Sequence, residues 1–388
     1  MTPPSPDSAV CAATLFDGET WQYDCAVLLA ASTVVGVMPA AELPRQVPRE
    51  TIADGLLVPG LIDLQVNGGG GLLFNNAPTA DTVRQIAASH RHLGTTALLP
   101  TLLSDSPEVM RAGVAAVREA RRDGAADILG IHLEGPFFAA ARRGTHREDR
   151  LRAPEAADID WLCSLGDLPC VLTLAPEQMQ PGQIRQLTAA GIKVCAGHSN
   201  ASYARMQLAQ QEGLRGFTHL FNAMSALTAR EPGVTGAALD SQHCWLGIIA
   251  DGHHVHPASI RIAQRSVAQG KLLLVSDAMA TVGSDDPGFQ LYGEHIERCN
   301  GQLRNSAGVL AGSTISLLEA VRFCRQEVGL PLAECLRMAS RYPADFLEQP
   351  RLGRIAPGCR ADFLLLDDKL MPRATWVAGE RSAPTPAA

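Results

Sequence analysis

The chain has 388 residues, 46% of them hydrophobic, with 33 basic against 40 acidic side chains and a net charge of −7. That length suits one large barrel with an appendage or two ordinary domains. The mild acidity excludes a non-specific nucleic-acid binder but not an anionic small substrate, and no apolar run reaches the ~18 residues that a membrane span needs.

Residues 1 to about 8 are Pro-rich and read as a disordered tail, without the basic start and apolar stretch of a signal peptide. Short strands are predicted over 10–15, 25–29 and 33–37, with Gly and Pro between them. The far end is similar: 361–366 and 374–378 are strand-like, while Pro372 and the closing 382–388 stretch read as frayed ends. Two β-rich ends around a different middle predict a small β-sandwich domain built from both termini, with boundaries at 1–56 and 352–388. The ten cysteines are scattered singly, with no Cys-x-x-Cys pair, as expected of reduced thiols in a cytoplasmic protein.

Residues 57–351 alternate apolar strand candidates with helical patterns. The strands fall at 61–65, 96–100, 128–133, 171–174, 193–196, 216–218, 247–250 and 272–276, with helices near 82–92 and 107–121. Repeated βα units imply a parallel sheet in an α/β fold, and eight of them favour a (β/α)8 TIM-like barrel. In such barrels the active site lies on the loops that follow the strands.

Four predicted strands end in polar residues. They carry Glu134 in Ile131-His132-Leu133-Glu134, His198 in Ala196-Gly197-His198-Ser199, His219 in Thr218-His219-Leu220, and Asp277 in Val275-Ser276-Asp277. Glu134, His198 and His219 offer one oxygen and two nitrogens, a set that zinc accepts with a fourth position left for water. Taken singly, each histidine reads more readily as a hydrogen-bonded structural residue, and the set at successive strand ends is what points to ligands. Asp277 closes an apolar strand, where a bare carboxylate is costly without a partner. It reads as a proton shuttle, first base and then acid, or else as a turn aspartate.

Gln65 and Asn67 stand where a His-x-His pair would ligate a metal, and as neutral amides they argue against a second ion. The run Gly68-Gly69-Gly70-Gly71 lacks the lysine of a phosphate-binding loop. Asn222 and Ala223 follow His219 closely, so their amide and backbone groups fall near the metal. Arg230 could fork onto a phosphate, His254 could add a donor, and His146 sits on the loop after Glu134. His253, His254 and His256 cluster in sequence, but adjacent rings do not readily share one ion.

Together these segments resemble the N-acetylglucosamine-6-phosphate deacetylase family of the amidohydrolase superfamily. The likeness is carried in order by Val58-Pro59-Gly60-Leu61-Ile62-Asp63, His132-Leu133-Glu134-Gly135-Pro136, Leu174-Ala175-Pro176-Glu177, Ala196-Gly197-His198-Ser199, Thr218-His219-Leu220-Phe221-Asn222-Ala223-Met224, Arg230-Glu231-Pro232-Gly233, Ala250-Asp251-Gly252-His253-His254-Val255 and Leu310-Ala311-Gly312-Ser313. The resemblance implies one divalent metal per subunit on Glu134, His198 and His219. Zinc comes first, with Fe2+, Mn2+ and Co2+ as alternatives that the ligands do not rank. It implies Asp277 as general base and acid, and Gln65 as the mark of the single-metal variant. It also implies substrate contacts from His146, Asn222 and Ala223, with Arg230 and His254 on the 6-phosphate, near the interface of a homodimer.

The expected activity is hydrolysis of N-acetyl-D-glucosamine 6-phosphate to D-glucosamine 6-phosphate and acetate, in amino-sugar metabolism. The alternatives are the galactosamine epimer as substrate, a cyclic amidase or deaminase, or a non-catalytic sugar-phosphate sensor on the same barrel. Two positions depart from the family pattern. Met279 follows Ser276-Asp277-Ala278 where relatives often carry threonine, and Thr228-Ala229 lacks a glycine common before the arginine.

Overall fold

The computed structural model describes residues 5–383. Its middle is a parallel sheet of eight strands that run in chain order around the sheet. They are β1 (Leu61–Val66), β2 (Thr95–Leu103), β3 (Ile131–Glu134), β4 (Cys170–Leu174), β5 (Lys193–Ala196), β6 (Gly216–Phe217), β7 (Trp245–Ile248) and β8 (Leu272–Leu274). Every residue of β1 and β2 is buried. That is why these strands read as continuous apolar runs rather than as an alternation.

The seam between β1 and β8 is nearly closed. Val66 bridges Ala278 in parallel, the Ser276 N–H donates to Asp63 Oδ1 at 3.2 Å, and Ser276 Oγ donates to the Gln65 carbonyl at 3.3 Å. Helices form where the sequence signals them. Pro107–Arg122 starts with proline in its first turn, is capped by Ser106 Oγ accepting from Val109 N, and buries Met110, Val114 and Val117 along one face.

The chain ends form a second sheet of eight strands. Ser8–Phe16, Trp21–Ala30, Thr33–Pro39, Arg49–Ile52 and Leu56–Pro59 come from the N-terminal side. Phe363–Leu366, Pro372–Val377 and Glu380–Ser382 come from the other. Leu364 pairs antiparallel with Val58, which joins the two contributions. Leu15, Val27, Leu57, Phe363 and Trp376 share its apolar core.

Two expectations need correction. The tail expected up to about residue 8 is shorter: Asp7 N–H donates to the Leu29 carbonyl at 2.8 Å and a strand starts at Ser8, while residues 1–4 lie outside the described part. Pro372 is not a frayed end. It opens a strand opposite Leu366, a position that needs no N–H from proline. Of the closing 382–388 stretch, Ser382 pairs with Thr375, and 384–388 lie outside the described residues.

One element was not foreseen. After Asp277 the chain inserts a three-stranded antiparallel sheet, Gly288–Leu291, Glu294–Cys299 and Gln302–Arg304. Its Phe289, Leu291, Ile296 and Leu303 pack on Leu73, Leu103, Met279 and Ala280 at the mouth of the barrel.

Candidate active site

Glu134 ends β3, and His198 and His219 stand just past β5 and β6, all three buried. Their ligating atoms converge. Glu134 Oε1 lies 3.3 Å from His198 Nε2 and 3.0 Å from His219 Nε2, and the two Nε2 atoms are 3.0 Å apart. His198 donates from Nδ1 to the Arg142 carbonyl at 2.9 Å, which leaves a lone pair on Nε2. Phe138 stacks on the same ring, with centroids 4.3 Å apart.

Two imidazole nitrogens at that separation need a proton or a cation between them. Glu134 Oε2 is buried without a hydrogen-bond partner among the described residues. These observations fit a divalent metal held by one oxygen and two nitrogens. Among the described residues this is the one cluster of three or more such side chains able to hold an ion. Burial alone would raise the Glu134 carboxyl, but with no cation bound a proton shared with the His198 and His219 rings holds it well below the usual range.

Asp277 follows β8 and is buried. Asn67 Nδ2 donates to its Oδ1 at 2.7 Å. Gln65 Nε2 lies 3.1 Å from the same oxygen and 3.2 Å from Glu134 Oε1. Gln65 therefore bridges the two carboxylates, and Asn67 holds Asp277 alone. Burial first, and the Glu134 carboxylate second, push the Asp277 carboxyl up to about 7. His198, His219 and Asp277 all have positive φ (48°, 36° and 53°), a conformation uncommon outside glycine that gathers at functional sites.

A cleft of about 300 Å³ opens over this group, lined by Glu134, His198, His219 and Asp277. His146, Asn222, Ala223 and His254 line it as well. The Ser104 N–H donates to His146 Nδ1 at 3.2 Å, so the ring carries its hydrogen on Nε2. Burial first, and His198 next, push the His146 pKa down to about 3, and the ring is neutral. His254 donates from Nδ1 to Asp251 Oδ2 at 2.6 Å.

His254, expected near a subunit interface, lines the cleft of its own chain. Arg230 stands apart from the cleft liners, exposed on the 226–232 loop. The neighbouring histidines serve elsewhere: His253 bonds Gln302, and His256 caps the helix Pro257–Ser266.

Several residues that shape the site escaped the sequence reading. Asp251 also accepts the N–H groups of His253 and His254, each at 2.8 Å. Its signal was an aspartate three residues before a histidine. Glu177 accepts from Ser199 Oγ and Asn200 N, each at 2.6 Å, and fixes the turn after His198. His132 faces inward from β3 and bonds Thr101 and Thr173.

The glycine loop is a clamp rather than a phosphate cradle. Gly70 N–H donates to the Val282 carbonyl and Gly71 N–H to Ala280, so these donors are already used. A Cβ on Gly68 would fall 2.3 Å from the Leu72 carbonyl oxygen, which is why glycine is needed there.

Comparison with known proteins agrees with this geometry. The profile of the amidohydrolase family matches residues 56–384. A Shewanella sp. (strain ANA-3) protein named N-acetylgalactosamine-6-phosphate deacetylase is 44% identical, over 92% of this chain and 91% of that one. A Vibrio furnissii protein named N-acetylglucosamine-6-phosphate deacetylase is 33% identical, over 93% and 92%. The crystal structure of N-acetylglucosamine-6-phosphate deacetylase from Pasteurella multocida superposes with a TM-score of 0.94 at 34% identity, over 97% of this chain and 99% of that one.

Proposed function

Because the chain belongs to the amidohydrolase family, we propose that it hydrolyses the acetamide of N-acetyl-D-glucosamine 6-phosphate, giving D-glucosamine 6-phosphate and acetate. The observation that carries this is the convergence of Glu134, His198 and His219 beside Asp277 on one cleft. A sugar-phosphate sensor has no need of a proton-shuttling carboxylate next to a metal-binding trio. A cation held by the three ligands supplies Lewis acidity, polarising the acetyl carbonyl and acidifying water.

The side chains do the rest. Asn67 and Gln65 converge on Asp277 Oδ1, leaving Oδ2 to take the proton of the attacking water. Asp277 then returns that proton to the departing amine, so the C–N bond breaks as the neutral amine leaves. His146 donates from Nε2 toward the substrate, and Asn222 and Ala223 border the sugar. His254 faces the 6-phosphate, with its ring oriented by the bond from Nδ1 to the Asp251 carboxylate.

Zinc is the proposed metal, one per subunit. Ten unpaired cysteines support a reducing, cytoplasmic setting, and among the described residues no helix is long and apolar enough to cross a membrane. A homodimer is proposed, with exposed Arg230 serving the phosphate in a partner's cleft.

The second reading changes only the sugar. What supports it is the 44% identity to a protein named for the galactosamine epimer, and the two substrates differ at the 4-hydroxyl. Comparing kcat/KM for acetate release from both epimers decides between them. A higher value for the gluco sugar is expected, a higher value for the galacto sugar reverses the assignment, and no release from either rejects the deacetylase reading.

A further inference from the structure

We propose that Tyr292, at the tip of the inserted sheet, is a positioning residue for the reaction, acting through Ser104 to hold the His146 ring. The inference rests on the deacetylase reading, in which His146 meets the substrate.

Tyr292 and Gly293 form the two-residue turn between Gly288–Leu291 and Glu294–Cys299, with Leu291 opposite Glu294. Both have positive φ, 55° and 80°, as a type I′ hairpin requires. Such turns take Asn-Gly, Asp-Gly or Gly-Gly by preference. The next turn of this sheet, Asn300-Gly301, follows that rule with φ of 50° and 75°. An aromatic side chain in the left-handed region is strained and persists where the surroundings hold it. Folding alone would be better served by asparagine at 292.

What tyrosine adds is reach. Its hydroxyl donates to the Ser104 carbonyl at 2.6 Å, across 188 residues of chain. Ser104 is fully buried at the end of β2. Its N–H lies 3.2 Å and its Oγ 2.9 Å from His146 Nδ1. Ser104 Oγ also sits 3.3 Å from the carbonyl of Glu134, a metal-ligand candidate.

Ser104 therefore connects three things through its carbonyl, its N–H and its hydroxyl: the hairpin tip, the ring of His146 and the end of β3. Holding Ser104 still keeps a donor on Nδ1, and Nδ1 with a donor keeps the hydrogen of the ring on Nε2, toward the cleft. The same sheet packs on Leu103 and Met279, both cleft liners. The inserted sheet is thus a wall of the active site, and Tyr292 is its bolt.

The test is Tyr292→Phe, which removes the hydroxyl and keeps the ring and the turn. Turnover is measured in the wild-type and His146→Gln backgrounds, and the 15N ring resonances of His146 are recorded with His146→Gln for assignment. We expect kcat/KM to fall about 3- to 10-fold in the wild-type background, the worth of one hydrogen bond, and not to fall further in His146→Gln. We also expect the His146 ring signals to move from a single Nε2–H form toward a tautomer mixture. An equal loss in both backgrounds, no loss in either, or unchanged ring resonances overturns the proposal. If the wild-type protein releases no acetate from either sugar, the deacetylase reading falls, and the resonances alone then decide the role of Tyr292.

Discussion

Asp277 is the residue on which the chemistry turns, and its surroundings explain why. A carboxylate buried near Glu134 is held protonated to a pH near its value of about 7, and two amides fix one of its oxygens. Asp277→Asn keeps an Oδ1 to accept from Asn67 and Gln65. It should lower turnover by ~10²–10⁴-fold, the usual worth of general acid–base catalysis, with metal content unchanged. In metal-free protein its melting temperature should be no lower than that of the wild type, because an amide does not repel Glu134. Unchanged turnover would remove Asp277 from the role, and lost metal would make it a ligand. Glu134, His198, His219 and Asp277 were legible because each breaks an apolar run at a strand end. The roles of Asn67 and Asp251 were not: Asn67 reaches Asp277 across the fold, and the local bond from Asp251 to His254 gains meaning only once the fold brings His254 to the cleft.

The element that places Asp277 is the seam between β1 and β8, held by buried Asp63. Burial pushes the Asp63 carboxyl up to about 6, against the hydrogen bonds it accepts from Ser276 and the Gln65 N–H. A carboxyl with a folded pKa above its usual 3.8 binds more protons in the folded than in the unfolded state between those values. Asp63 thus makes stability fall as pH rises through that window, and its penalty is complete above about 6. Asp63→Asn lacks the titration. The stability of this variant relative to wild type should grow from pH about 4 to about 6 and then level off, read by urea unfolding. A difference constant with pH would show that Asp63 does not titrate there. The barrel strands were readable from their buried runs. The inserted sheet was missed although Asn300-Gly301 is a strong hairpin signal, because its strands are short and its second one exposes four of six residues.

At the scale of the whole molecule, the terminal sheet and the barrel share one chain path. The strand Leu56–Pro59 runs into β1 through Gly60, where a Cβ would fall 2.0 Å from Thr96 Oγ1. Arg360 pairs with Asp362 in the sheet region and donates to the Ala126 carbonyl at 2.6 Å, beside the barrel. A rigid frame of this kind brings donors from β3, β5 and β6 to one point, at the cost of buried polar atoms that a cation relieves. Metal removal should therefore lower the melting temperature by a few degrees, and adding metal back should restore it, since a ligand bound only to the folded state stabilises it by mass action.

The most direct test follows acetate release from N-acetyl-D-glucosamine 6-phosphate as metal is returned to depleted protein and counted. Turnover should rise in proportion to bound metal and reach its plateau at one ion per chain. Full turnover without metal, or none at one ion per chain, would contradict the site built from Glu134, His198, His219 and Asp277.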